Sequence, residues 1–209
     1  MKHLSDLLSS TAVVQFVTSA DPEIGALQYD SRRVQQGDCF FAVRGTQSDG
    51  HNYITSAVKQ GAVAVVCEAL PEALSEGVSY VVVEDSNKAM ADMAAAFYDY
   101  PSEELELVGV TGTNGKTTVT YLLKSVLEKV YGAKVGLIGT IQNMIGDKVI
   151  ETERTTPESF ELQGLFARMR DAGCTHVVME VSSHALTLDR VGGVPVSYTH
   201  LTLPTMAVV

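Results

Sequence analysis

Apolar positions along this chain alternate between short unbroken runs and a helical period, and turn residues mark the switches. In the first hundred residues the runs are brief. The string Gln28-Tyr29-Asp30-Ser31-Arg32, followed by Gly37-Asp38, leads into an apolar run over 39–43, and Gly45-Thr46-Gln47-Ser48-Asp49-Gly50 reads as a loop. The pattern predicts a helix over 53–60 stopped by Gly61 and buried strands over 62–67 and 80–83. A further helix is capped at Asp85 or Ser86, runs through Ala89, Met93, Ala96 and Phe97, and ends before Pro101. Beyond the polar, proline-marked Tyr100-Pro101-Ser102-Glu103-Glu104 the elements lengthen. A strand over 105–110 precedes a helix carrying Val119, Leu122, Leu123, Val126, Leu127 and Val130 at helical spacing. A strand over 134–140, a hairpin turning at Gly146-Asp147, a helix over 158–172 ended by Gly173 and a strand over 176–181 follow. Strands alternating with helices predict an α/β chain of two parts. Residues 1–102 form a mixed α/β domain, and 103–195 form a mostly parallel α/β domain.

Composition narrows what such a chain can be. Its 209 residues, 45% of them hydrophobic, suffice for real cores in one large or two small domains. The formal net charge of -10 carries no basic stripe, which argues against a nucleic-acid partner. No apolar run reaches membrane-spanning length and no N-terminal signal pattern is seen, so no membrane partner is expected. Cys39, Cys67 and Cys174 are far apart, lie in apolar company and lack metal-ligand spacing. They read as reduced core residues, in keeping with a cytoplasmic location.

The strongest chemical signal is Val110-Thr111-Gly112-Thr113-Asn114-Gly115-Lys116-Thr117-Thr118. An apolar strand, a glycine-bearing turn and Lys-Thr-Thr opening a helix form a cradle for a nucleotide triphosphate. Backbone N–H groups of the turn and the helix start point at phosphate, and the helix dipole favours its charge. Lys116 reaches the outer phosphates and Thr117 helps hold Mg²⁺. The match departs from G-x-x-x-x-G-K-[ST], because the first glycine position is Val110. The plainer alternative is a helix starting after a glycine turn with Lys116 in solvent. The strand–loop–helix setting favours the phosphate loop, and hence ATP.

Three further strings stand in order with this loop: Asp30-Ser31-Arg32 with a later Asp49-Gly50, Thr155-Thr156-Pro157-Glu158, and Met179-Glu180-Val181-Ser182-Ser183-His184-Ala185-Leu186. Together they resemble the Mur ligases of peptidoglycan synthesis over residues from about 25 to 194. Within that family the last two strings resemble the branch that adds a diamino acid to a UDP-N-acetylmuramoyl dipeptide. The resemblance implies an N-terminal domain that binds the UDP-sugar substrate and a central domain that binds ATP. It also implies an acyl phosphate on the D-glutamyl carboxylate, captured by the incoming amine. By resemblance, Gly112, Thr113, Asn114, Gly115, Lys116, Thr117 and Thr118 form the ATP loop, with Lys116 catalytic, and Thr117 with Glu180 holds Mg²⁺. Thr155, Thr156, Ser182 and Arg190 match positions that bind the UDP-muramoyl dipeptide, and Tyr29, Ser31, Thr46, Gln47 and Ser48 match the uridine-nucleotide pocket. Each has a simpler reading as well: a helix start for the Thr pair, turn chemistry for the first-domain residues, and a surface carboxylate at a strand end for Glu180. Where relatives carry Asn before the Thr pair, this chain has Arg154.

The family continues with a carbamylated lysine and a third domain, neither of which is found before residue 209. Residues 196–209 instead include Val196-Ser197-Tyr198-Thr199-His200-Leu201-Thr202-Leu203-Pro204-Thr205, which resembles a translated sequencing adaptor. The central domain is therefore expected to be truncated, the tail non-native and the chain unable to complete ligation. A monomer is expected. The competing readings are a sibling ligase that adds the terminal dipeptide and a non-catalytic nucleotide-binding module.

Overall fold

The computed structural model describes residues 1–17, 20–45, 48–152 and 154–195. Thr46, Gln47 and the 196–209 segment, which carry expectations from the sequence, lie outside the described residues. The chain divides into two compact units, Met1–Phe97 and Tyr98–Val209. Among the described residues no helix is long and apolar enough to cross a membrane.

In the first unit, β1 (Lys2–His3), α1 (Leu4–Leu7), β2 (Val13–Val17), β3 (Glu23–Ile24) and β4 (Leu27–Gln28) precede β5 (Cys39–Phe41). Then come α2 (Ile54–Gln60), β6 (Ala64–Cys67), β7 (Ser79–Val83) and α3 (Ser86–Phe97). The main sheet has the order β2-β7-β6-β5-β4. Strands β4 to β7 are parallel, and β2 closes one edge antiparallel to β7. Every residue of β5, β6 and β7 is buried, as expected of parallel strands covered on both faces. Phe40, Val65 and Tyr80 from the sheet pack with Ile54 and Ala57 of α2. Strand β2 had no clear sequence signal: Val13, Val14 and Phe16 are exposed at the sheet edge, so burial imposes no alternation there. The predicted helices over 53–60 and from Asp85 or Ser86 form nearly as expected, and Gly61 ends the first.

The second unit contains β8 (Glu106–Val110), α4 (Lys116–Tyr131), β9 (Val135–Ile138), β10 (Asn143–Ile145) and β11 (Lys148–Ile150). It continues with α5 (Ser159–Asp171), β12 (His176–Glu180) and the short α6 (Ser183–Thr187). The sheet order is β11-β10-β9-β12-β8, with β9, β12 and β8 parallel and the β10–β11 hairpin added antiparallel. Successive strand residues serve opposite faces. Leu107, Ile138, Val177 and Met179 pack with Leu162, Phe166 and Met169 of α5. Val110, Val135, Leu137 and Val178 pack with Val119, Leu123 and Leu127 of α4. The sheet is thus sandwiched between two helices. The register places Val110 opposite Glu180 and Ile138 opposite Met179, so all three parallel strands end at one edge.

Helix α4 forms where the apolar spacing predicts it, but the spacing spreads over two faces. Leu122, Val126 and Val130 stand 61%, 50% and 68% exposed, while Thr120 and Lys124 are buried. The Lys124 ammonium is neutralised by Glu128 one turn on, which lets its stem lie inward. The three cysteines are free and buried, and burial pushes the Cys67 thiol up to about 11, so it stays protonated at neutral pH.

Helix α3 starts on a side-chain cap. Asp85 Oδ1 accepts from the backbone N–H groups of Asn87 at 2.9 Å and Lys88 at 3.0 Å. Replacing Asp85 with Ala is expected to destabilise the chain by about 1 kcal/mol. A lowered urea midpoint for the first transition checks this, and an unchanged midpoint contradicts it.

Candidate functional site

The edge where β8, β9 and β12 end is where an open α/β sheet offers ligands its loops. Three segments leave the sheet there: the loop from Thr111 to Gly115, the Gly139-Thr140 pair, and Val181-Ser182.

The first is the predicted phosphate loop. Gly115 is the N-cap of α4 with φ 81° and ψ −4°, a left-handed conformation that glycine adopts without strain. Among the described residues no side chain caps this helix, so its first-turn N–H groups are open to an anion that docks there. Gly112, Thr113, Asn114, Gly115 and Thr118 are exposed, and Lys116 and Thr117 are half-buried. The Lys116 ammonium donates to the Gly112 carbonyl at 2.8 Å, which holds it over the mouth of its own loop.

Glu180, the last residue of β12, is only 1% exposed. Its carboxylate accepts from the Thr117 hydroxyl, which lies 3.0 Å from Oε1 and 3.1 Å from Oε2. The Thr140 backbone N–H donates to Oε1 at 3.0 Å and the Thr140 hydroxyl to Oε2 at 3.0 Å. No ion pair reaches Glu180 among the described residues. Gly139 makes room for it, since a Cβ there would sit 2.5 Å from Glu180 Oε1. A buried carboxylate is stable only when paired, hydrogen-bonded or bound to a metal. One carboxylate flanked by the Thr117 and Thr140 hydroxyls is a set of hard oxygen ligands that could hold Mg²⁺. That ion takes few protein ligands and fills the rest with water and phosphate oxygens.

The second group of predicted residues adjoins this carboxylate. The Thr155 hydroxyl lies 3.1 Å from that of Thr140. Thr156 is buried; its hydroxyl donates to the Glu180 carbonyl at 2.9 Å and accepts from the Ser182 N–H at 3.1 Å. The Ser182 hydroxyl accepts from the Ala185 N–H at 3.2 Å as the cap of α6. Arg190 donates through Nε to Glu158 Oε2 at 3.0 Å, pairs with Oε1 at 2.7 Å and reaches the Thr156 carbonyl at 3.2 Å. Arg154 meets the same Glu158 carboxylate. Thr155 is thus the member of this group whose hydroxyl meets Thr140, a donor to the Glu180 carboxylate, while Thr156, Ser182 and Arg190 fasten the turn against β12. Thr140, Gly139 and Glu158 were missed in the sequence. Thr140 read as the last residue of a strand over 134–140, but β9 ends at Ile138 and the turn beyond it faces Glu180.

In the first unit, Tyr29 and Ser31 follow β4, and Ser48 follows the adjacent parallel strand β5, so both groups leave the same sheet edge. Ser31 is buried at the start of a single 3-10 turn, Tyr29 is half-buried and Ser48 exposed. Asp30 caps that turn by accepting from the Arg32 N–H at 3.0 Å, and the Arg32 guanidinium grips the same carboxylate at 2.9 and 2.7 Å. This grip holds the Asp30 carboxyl below the usual carboxylate range.

Two family models match consecutive stretches of the chain: "Mur ligase family, catalytic domain" over residues 23–98 and "Mur ligase middle domain" over residues 110–203. The chain is 49% identical over 190 residues to the UDP-N-acetylmuramoyl-L-alanyl-D-glutamate--2,6-diaminopimelate ligase of Bacteroides fragilis, covering 91% of this chain and 39% of that protein. It is 56% identical over 172 residues to the first ligase of that name from Clostridium acetobutylicum, covering 82% of this chain and 35% of the relative. A solved structure of a ligase of the same name superposes with a TM-score of 0.68 at 25% identity, over 85% of this chain and 37% of that one. The chain therefore spans well under half the length of the curated relatives it matches.

A depressed Asp30 pKa means that its contribution to stability is present above the unfolded value near about 3.9 and is lost as pH falls through the folded value. In an NMR pH titration the Asp30 carboxyl is expected to titrate below that of an unpaired aspartate, and Arg32→Ala to bring it back up. An identical midpoint in both proteins contradicts the assignment.

Proposed function

The chain belongs to the Mur ligase family, and on that footing we propose that it is part of an ATP-dependent ligase joining a diamino acid to UDP-N-acetylmuramoyl-L-alanyl-D-glutamate. The relatives are named as 2,6-diaminopimelate ligases, which supports 2,6-diaminopimelate as the diamino acid. Residues 1–102 are the UDP-sugar domain, with Tyr29, Ser31, Thr46, Gln47 and Ser48 toward the uridine nucleotide. Residues 103–195 are the ATP domain, and a tail over 196–209 is non-native. The observation that carries the reading is the buried Glu180 carboxylate hydrogen-bonded to Thr117, the residue after the loop lysine.

In the reaction, an oxygen of the D-glutamyl side-chain carboxylate attacks the γ-phosphorus of ATP, and the bond to ADP breaks. The amino group of the diamino acid then attacks the acyl carbon of the mixed anhydride, phosphate leaves, and the nitrogen loses a proton as the amide forms. Phosphoryl transfer needs positioning and charge neutralisation more than covalent help. The N–H groups from Gly112 to Thr118 cradle the phosphates. Lys116 exchanges the Gly112 carbonyl for phosphate oxygens and offsets charge on the transferring group. Mg²⁺, when bound, supplies positive charge on the phosphate oxygens, and Thr117 and Glu180 are the residues that would hold it. Thr155, Thr156, Ser182 and Arg190 form the edge that receives the dipeptide end of the substrate. ATP and a UDP-sugar as co-substrates place the reaction in the cytoplasm, in cell-wall precursor synthesis.

Because the chain spans only part of its relatives' length, binding is the direct readout. Titration calorimetry on the 209-residue chain is expected to show one site for Mg²⁺-ATP and a separate one for the UDP-muramoyl dipeptide. Lys116→Ala is expected to weaken Mg²⁺-ATP by roughly tenfold or more, the loss of a hydrogen bond between charged groups, and to leave the dipeptide affinity unchanged. Absence of binding for both ligands in the wild type would mean the assignment is wrong.

A further inference from the structure

Thr140 touches both halves of the site in the second unit, and simple valence fixes how. Its hydroxyl oxygen lies 3.0 Å from Glu180 Oε2 and 3.1 Å from Thr155 Oγ1. A hydroxyl has one hydrogen, and a carboxylate only accepts. The bond to the buried carboxylate is the stronger of the two, so the Thr140 proton goes to Glu180. The contact with Thr155 must then be Thr155 donating to Thr140. The single proton of Thr155 is turned inward, and Thr155 offers an incoming ligand only lone pairs. An anionic oxygen of the dipeptide needs a donor.

A cation on the Glu180 oxygens competes for the lone pairs that hold the Thr140 proton and repels its positive end. Thr140 then donates to Thr155 instead, and the Thr155 proton turns outward. We propose that Thr140 is a hydrogen-bond relay through which a divalent cation at Glu180 switches Thr155 from acceptor to donor and so tightens binding of the anionic dipeptide substrate. Thr140 is a positioning residue: it acts through Glu180 and Thr155. The coupling is reciprocal, so bound dipeptide tightens the cation site by the same factor. The inference rests on the ligase reading above, which puts the dipeptide beside Thr155.

The test is the affinity of the 209-residue chain for UDP-N-acetylmuramoyl-L-alanyl-D-glutamate, measured with a non-hydrolysable ATP analogue in EDTA and again in Mg²⁺. The wild type is expected to bind the dipeptide about five- to tenfold tighter in Mg²⁺, the scale of one hydrogen bond to a charged group. Thr140→Val should still bind each ligand but bring the ratio to about one, and Thr140→Ala should do the same if valine disturbs the turn. Thr140→Ser should restore the ratio, which a merely structural role for the side chain would not require. A wild-type ratio of one, a Thr140→Val or Thr140→Ala protein that keeps the wild-type ratio, or a Thr140→Ser protein that loses it overturns the relay alone. Failure of the wild type to bind the dipeptide in either condition overturns the ligase reading and the relay with it.

Discussion

Burying a carboxylate at the end of a central strand is costly, and the second unit is arranged around that cost. Glu180 closes β12, which lies between β9 and β8, so its side chain has protein on both sides. Three donors from two other strand ends meet it: the Thr117 hydroxyl from the segment after β8, and the N–H and hydroxyl of Thr140 from the segment after β9. Gly139 leaves the space the carboxylate fills. The carboxylate thus fastens the phosphate loop, the β9 turn and the end of β12 into one unit. Its donors are hydroxyl and amide groups rather than a fixed positive charge, so a cation can be accommodated without displacing a salt bridge.

Strand alternation supplies the rigidity. Side chains of β8, β9 and β12 serve α4 on one face and α5 on the other, so neither helix can shift without opening a core cluster. The polar groups at the strand ends are therefore held by packing behind them rather than by their own few hydrogen bonds. The Thr155-Thr156 turn is fastened by the buried Thr156 hydroxyl and by Arg190 on Glu158, which leaves Thr155 as the half-buried contact between the turn and Thr140.

Much of this was legible in the sequence because it is local. The apolar run before Thr111, the glycines of the loop and the helical spacing after Lys116 lie within a single strand–loop–helix unit, and each appears where expected. The strings around Glu180 and the Thr pair, read through family resemblance, lie side by side in the fold. What could not be read depends on pairing between strands. Thr140 matters because β9 lies beside β12 in the sheet, and Gly139 because its missing side chain faces Glu180; neither fact has a local signature. The Arg190–Glu158 contact spans 32 residues of chain and likewise has no local signature. The exposed stripe of Leu122, Val126 and Val130 escaped for a related reason: spacing identifies a helix, and only the sheet decides which face it buries.

On the ligase reading, we infer that the Glu180 carboxylate anchors the cation in the nucleotide site. Replacing it with glutamine keeps the shape and removes the charge. Calorimetric affinity for a non-hydrolysable ATP analogue, measured with and without Mg²⁺, is predicted to be strongly Mg²⁺-dependent in the wild-type chain and nearly Mg²⁺-independent in Glu180→Gln. An undiminished Mg²⁺ dependence in the folded variant would mean that the cation is held elsewhere.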